Sequence, residues 1–395
     1  MSSPDRAAAL SLVSRALAGQ LELAATDDGV TPWRLPASAR RHAPDTLVLM
    51  AEFASGERLR LHTDADLLEL DVSVVRLAMR HVGRPASPAR FVAEVGGAER
   101  VVEVADTAVV VETADGRLER GPSLRSTVRI DLGATEHARD VVVWLPQDAG
   151  VMFHDLRATR AGSPARVSAA GPTGRRRWLH HGSSISHGGS AALPTGTWPV
   201  RAARELGVDV VNLGFGGNAM LDPMTARGIA AAEADVITLK IGINIVAADA
   251  MRRRTFVPAL HGFLDLVREG HPATPLVVIS AIGCPALEDA PGPIRAGADG
   301  RIVAVPRPVA PGDGSLTLAG SRRLLADAVA DRADDGMLFF TDGAELLRPA
   351  EDRLLPDGLH PDDEGFALIA SRFSALARDP GTPLGRAFAG ALSVR

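Results

Sequence analysis

Tyrosine is absent from this chain of 395 residues, and lysine and cysteine occur once each, as Lys240 and Cys284. A single cysteine excludes an intrachain disulfide and fits a reducing compartment. Basic charge is therefore almost all arginine, and the formal net charge is −5. Such a balance gives no electrostatic case for nucleic acid or an anionic membrane surface. No apolar run approaches the roughly 20 residues of a membrane-spanning helix. Residues Met1 to Arg15 mix acidic and basic side chains and lack the apolar core and cleavage site of a secretory signal. A soluble, cytoplasmic protein without nucleic-acid or membrane partners is the expectation. The sequence also lacks metal-spaced His/Cys sets, a P-loop and a dinucleotide fingerprint, so no cofactor or metal is expected.

What is present suggests two domains. The chain is long for one domain, and at 46% hydrophobic it can bury substantial cores. Pro4 to Leu21 reads as a short amphipathic helix. Short β-type runs follow, punctuated by Gly, Asp, Pro and Ser: Thr46–Met50, Leu68–Val72, Thr107–Thr113, Val128–Leu132 and Asp140–Leu145. This spacing without intervening helices predicts an antiparallel, jelly-roll-like β-sandwich over residues 1–172. The Gly/Pro-rich stretch Ala161 to Gly174 is the expected linker.

From residue 173 to 395 strands and helices alternate. Strands are expected at Trp178–His181, Val208–Leu213, Val236–Ile241, Leu276–Ser280 and Met337–Phe340. Helices are expected at Thr197–Leu206, Met224–Ala234, Phe256–Arg268 and Leu316–Asp331, with a closing helix at Glu364–Arg378. This alternation predicts an α/β domain with a parallel sheet covered on both faces, which the family resemblance given below makes flavodoxin-like. Ligands in such folds bind beyond the carboxyl ends of the strands.

Four segments fall on that edge or follow it: Gly182-Ser183-Ser184-Ile185-Ser186, the Gly-rich Asn212 to Asn218, Gly242-Ile243-Asn244, and Asp357-Gly358-Leu359-His360. They offer a hydroxyl, a glycine turn, a side-chain amide, and an Asp with a His three residues later. Acyl transfer requires a nucleophile, a base, a group orienting the base, and donors for an oxyanion. Each residue also has a plainer reading. Ser184 can be a turn or capping serine, Asn212 an Asx-turn residue, Asn244 a helix N-cap and Asp357 an N-cap or loop residue. His187 is a rival base in the nucleophile turn. His180 and His181 suit structural roles, and Cys284 a buried, inert thiol. Arg252-Arg253-Arg254 suits a solvated helix start, and Asp362, Asp363 and Glu364 an acidic first helical turn. Trp33 is either a core or linker residue or a contact between domains. The Pro/Gly-rich stretch Ala281 to Gly314 is a candidate lid or pocket wall.

Together these segments resemble the four blocks of the SGNH/GDSL family of esterases, lipases, deacetylases and acyltransferases, from about Trp178 to Arg378. One departure is Ser183, where the family often has Asp. Leu239 to Asn244 and Arg254 to Pro258 resemble a narrower two-domain actinomycete group that includes polyketide-tailoring acyltransferases. The resemblance implies Ser184, Asp357 and His360 as a catalytic triad, and Ser184, Gly217 and Asn244 as oxyanion-hole donors. It implies cleavage or transfer of an acyl group on a small hydroxyl-bearing metabolite, with an acyl donor and a hydroxyl acceptor or water as partners. Two alternatives stand beside it: a carbohydrate esterase with a carbohydrate-binding sandwich, and a non-catalytic binding protein.

Overall fold

A computed structural model describes residues 3–78, 87–113, 115–310 and 312–392. The chain divides into two compact units, Met1–Gly174 with Leu193–Thr195, and Arg175–Ala192 with Gly196–Arg395.

The first unit is β-rich. A six-stranded sheet contains Arg58–Thr63, Arg139–Trp144, Ala89–Val95 and Ala98–Val104, and an eight-stranded sheet is built around Leu67–Ala78 and Ala149–Arg160. Side chains alternate along these strands, so that in Arg125–Asp131 Val128 and Ile130 point inward while Arg129 and Asp131 stay exposed. Leu59, Leu61, Phe91, Val141 and Val143 from one sheet share a core with Leu70, Val72, Val151 and Phe153 from the other. This shared core makes the unit a sandwich. Among the described residues the pairing is antiparallel except between Leu67–Ala78 and Ala108–Glu112, which run parallel.

Three local expectations are corrected. Thr46–Met50 is not a strand but lies in the helix Asp45–Glu52, started by Pro44 with Asp45 in its first turn. Leu47, Leu49 and Met50 of its uninterrupted apolar run are buried, and such a run reads alike for a buried strand and a buried helix. The leading helix spans Ser3–Ala16 and stops before Leu21, because Leu17–Ala18 pairs with Arg58–Leu59 and Gly19 turns left-handed at φ 98°. The stretch Ala161–Gly174 is not all linker: Ser163–Pro164 and Val167–Ala169 add short strands to the two sheets.

The second unit is organised by a five-stranded parallel sheet in the order Asp209–Gly214, Arg177–Gly182, Val236–Lys240, Leu276–Ile279, Leu338–Thr341. Residues Val236–Lys240 and Leu276–Ile279 are buried throughout, as strands covered on both faces must be. Strand order reverses beside Arg177–Gly182, and this switch point is where ligands bind in open α/β sheets. The helix Asp363–Arg378 is followed by a further helix not anticipated above, Pro383–Leu392, whose Phe388 packs edge-on against Trp178. The stretch Ala281–Gly314 carries a short helix, Pro285–Glu288, and a hairpin pairing Ile294–Ala296 with Ile302–Ala304; Pro311 lies outside the described residues.

Candidate active site

The strand Arg177–Gly182 delivers the chain into a one-turn helix, Ser184–His187. Ser183 caps it, its hydroxyl accepting from the Ile185 N–H at 3.3 Å. The cap therefore survives the replacement of the family's Asp by Ser. The helix lies directly on the ends of two strands. A Cβ on Gly214 would come within 2.3 Å of the His187 nitrogen, and one on Gly182 within 2.4 Å of Ser186 Oγ. Asn212 ties the same place from below: its Nδ2 donates to the Ser186 carbonyl at 2.9 Å and its Oδ1 accepts from the Gly214 N–H at 3.0 Å. The Asx-turn reading of Asn212 thus agrees with the geometry, together with a second contact to the turn that presents Ser184.

The loop before the helix Asp363–Arg378 brings Asp357 and His360 to this serine. Ser184 Oγ lies 2.9 Å from His360 Nε2, and His360 Nδ1 lies 2.7 Å from Asp357 Oδ2. Asp357 Oδ1 also accepts from the backbone N–H groups of Leu359 at 2.9 Å and His360 at 2.7 Å. Burial raises the Asp357 pKa, but the hydrogen bond and charge of His360, with those two N–H donors, outweigh it and hold the carboxyl down at about 2. It is therefore an anion at neutral pH. With Nδ1–H donated to that carboxylate, Nε2 is the ring nitrogen free to take a proton from Ser184. His187 stands at the far end of the helix that Ser184 opens, and the ring that meets Ser184 Oγ is that of His360.

Asn244 sits in the helix Ile243–Ala247, just beyond the central strand. Its Oδ1 accepts from the Ala219 N–H at 3.0 Å, which turns the Nδ2 end of the amide toward other partners. Ala219 follows the turn containing Gly217, an exposed residue at φ 70° with open space where a Cβ would stand. One hydrogen bond thus joins the glycine turn to the Asn244 helix. Nothing in the sequence marks Ala219 for this, because the contact uses only its backbone.

The other candidates fall into supporting places. His180 is fully buried, with Nδ1 2.7 Å from Thr238 Oγ1 and Nε2 2.7 Å from Ser186 Oγ, while Trp178 Nε1 donates to the same threonine. Burial, with the nearby charges of Lys240 and His181, drives its pKa well below the usual histidine value. This neutral chain braces the helix Ser184–His187 from behind. His181 donates to the Leu213 carbonyl, and burial depresses it to about 4 despite that bond. The Cys284 thiol is buried and pushed up to about 11, chiefly by burial, and its Sγ donates to the Gly358 carbonyl at 3.3 Å. Arg253 and Arg254 are exposed, whereas Arg252 pairs with Asp249 at 2.5 Å. Asp362 caps the helix Asp363–Arg378. Trp33 packs under the Arg40 guanidinium at 3.6 Å within the first unit. Among the described residues no group of three or more His, Cys, Asp or Glu is arranged to hold a metal ion, and no helix is long and apolar enough to cross a membrane.

A flavodoxin-like sheet carrying such a serine relay at its switch point defines an ester-acting enzyme of the SGNH class. Residues 181–368 match the GDSL-like Lipase/Acylhydrolase family, and the second unit is a domain of that family. Among solved structures, a salicylyl-acyltransferase from a tetracycline biosynthetic pathway is similar at 26% identity, over 96% of this chain and 96% of its own, with a TM-score of 0.75. A Bacteroides ovatus protein described as a GDSL-like lipase matches 92% of this chain and 94% of its own at 16% identity, with a TM-score of 0.64. A family two carbohydrate esterase from Clostridium thermocellum matches 92% of this chain and 98% of its own at 14% identity, with a TM-score of 0.56. The last two share the fold alone. No curated protein sequence matches the chain.

Proposed function

We propose that the protein is a serine acyl-enzyme catalyst that cleaves or transfers an acyl group on a small hydroxyl-bearing metabolite of the polyketide type. Catalysis lies in the C-terminal domain, residues 173–395. Ser184 is the nucleophile, His360 the general base and Asp357 the group that orients the imidazole and stabilises its protonated form. The observation that carries this reading is the unbroken relay from Ser184 Oγ through His360 to Asp357, at 2.9 and 2.7 Å.

In the first half-reaction Ser184 Oγ attacks the carbonyl carbon of the donor as its proton passes to His360 Nε2. The tetrahedral oxyanion accepts from the backbone N–H groups of Ser184 and Gly217 and from Asn244 Nδ2. Collapse breaks the bond to the leaving oxygen or sulfur, which takes the proton from His360. In the second half-reaction an acceptor hydroxyl or water gives its proton to Nε2 and attacks the acyl-serine. Collapse returns the proton to Ser184 Oγ and releases the new ester or the acid.

Likeness to the salicylyl-acyltransferase over nearly the whole of both chains favours transfer to a small acceptor. The carbohydrate esterases share only the fold, at 14% identity. A panel of activated aryl esters and acyl-thioesters, assayed with and without phenolic and alcoholic acceptors, tests the proposal. Acylated acceptor should form at the expense of free acid, and Ser184→Ala should abolish both products. Turnover confined to acetylated polysaccharide would overturn the substrate class.

A further inference from the structure

The stretch from Ala281 to Ser315 touches both halves of the proposed machinery. On one side it holds the loop of the acid and base: the Ile302 N–H donates to the Asp357 carbonyl at 2.6 Å, and the Cys284 thiol donates to the Gly358 carbonyl at 3.3 Å. On the other it grips the helix of Asn244. Gly292 packs so closely on the Val246 and Ala247 carbonyls that a Cβ would come within 2.3 and 2.8 Å of them.

The end of that helix is held by charge. Asp249 has a left-handed backbone at φ 50°, a conformation that residues other than glycine seldom adopt and that persists where its surroundings enforce it. Its Oδ1 accepts from Arg307 Nη2 at 3.2 Å and from Arg252 Nη1 at 2.5 Å. The Arg307 guanidinium donates as well to the Gly292 carbonyl at 3.0 Å and Ser315 Oγ at 2.8 Å, and lies 3.6 Å from Asp313. The Arg253 N–H closes the arrangement on the Gly314 carbonyl at 2.8 Å. Arg307 and Asp249 are mostly buried, with side-chain exposures of 22% and 15%, so their pairing is screened less than that of a surface pair.

We infer that residues 281–310 and 312–315 form a fixed brace, not a lid, in which Arg307 and Asp249 are positioning residues. Their ion pair clamps the Asn244 helix to the same segment that holds the Asp357–His360 loop. The separation between oxyanion donor and base is then set from one side. A guanidinium bonded at once to Asp249, the Gly292 carbonyl and Ser315 is suited to this role, because its planar fork of donors resists both sliding and rotation. The inference rests on the proposed roles of Asn244 and His360.

The test compares Asp249→Gly, Asp249→Asn, Arg307→Lys and Arg307→Ala with Ser184→Ala in the full chain, reading kcat, KM and Tm on one activated ester. Glycine tolerates the left-handed backbone but removes the tie, so Asp249→Gly should lower kcat roughly tenfold to a hundredfold, with KM within about threefold, because sub-ångström misplacement acts on turnover. Asn also tolerates that backbone and still accepts from Arg307, so Asp249→Asn should recover most of the loss. Arg307→Lys should fall between wild type and Arg307→Ala, and if Arg307→Ala does not fold the other three decide. Wild-type kcat in Asp249→Gly and Arg307→Lys with only a lowered Tm would overturn the brace while a dead Ser184→Ala upholds the catalytic reading. Full activity in Ser184→Ala would overturn both.

Discussion

Asn244 takes a hydrogen bond from the Ala219 N–H through its Oδ1 at 3.0 Å, and this contact commits the oxygen end of the amide and leaves Nδ2 as the end that can donate. Asn244→Ala should therefore lower kcat by about 100-fold, as the loss of one oxyanion donor does. Asn244→Asp should be at least as damaging, although a carboxylate can still accept from Ala219. It cannot donate, and it repels the developing oxyanion. Steady-state kinetics beside thermal melts separate the two effects, since the Tm of the Asp variant should change little.

Asp357 is held at about 2 because its bonds to His360 and to two backbone N–H groups outweigh its burial. Its folded value is thus below the ordinary 3.8. It contributes stability above that value, and the contribution is lost as pH falls through about 2. The kcat/KM profile above about pH 4 should show no inflection from this carboxyl. Asp357→Asn should lose about 10⁴ in kcat through the wrong imidazole tautomer. The Tm difference between the two proteins should close as pH falls toward 2. An Asn variant with near-normal turnover would remove Asp357 from the mechanism.

Much of this was legible in the residues, and the reason is chemical. Ser184, Asn244, Asp357 and His360 are reactive or polar types placed after apolar strands, where a parallel sheet gathers its loop ends. The parallel sheet followed from the alternation of strand and helix, whereas its strand order became visible only in the structure. Thr46–Met50 was misread because a continuous apolar run carries no period that separates strand from helix. The supports of the site were illegible for another reason. Cys284 meets Gly358 across 74 residues and Arg307 meets Asp249 across 58, and only the folded chain brings them together.

Lys240 ends the central strand fully buried, and its Nζ has no hydrogen-bond partner among the described residues. Burial, followed by the charge of Arg322, pushes it from 10.5 to about 7. For a cationic group lowered in the folded state, the unfolded chain binds more protons between those two values. Stability should therefore rise with pH from about 7 to 10.5, and the cost of the buried charge should be present in full below 7. Chemical denaturation across that range should show the rise in the wild type and a flatter curve in Lys240→Met. Parallel curves would mean that Lys240 does not titrate there.

Cys284 is kept as a thiol by the same physics, with burial raising it to about 11. Iodoacetamide near pH 8 should leave the folded protein unlabelled and should modify this cysteine only after denaturation, because the thiolate is the reactive form. Intact-mass measurement under both conditions checks this. Rapid labelling of the native protein would show an activated sulfur and reopen the choice of nucleophile.

The central claim is that Ser184 carries the acyl group, and fluorophosphonate labelling followed by peptide mapping tests it most directly. The adduct should fall on the peptide containing Ser184, form at a strongly reduced rate in His360→Ala, and be absent from Ser184→Ala. An adduct on Cys284 or another residue, or no adduct on a protein that still turns over esters, would contradict it.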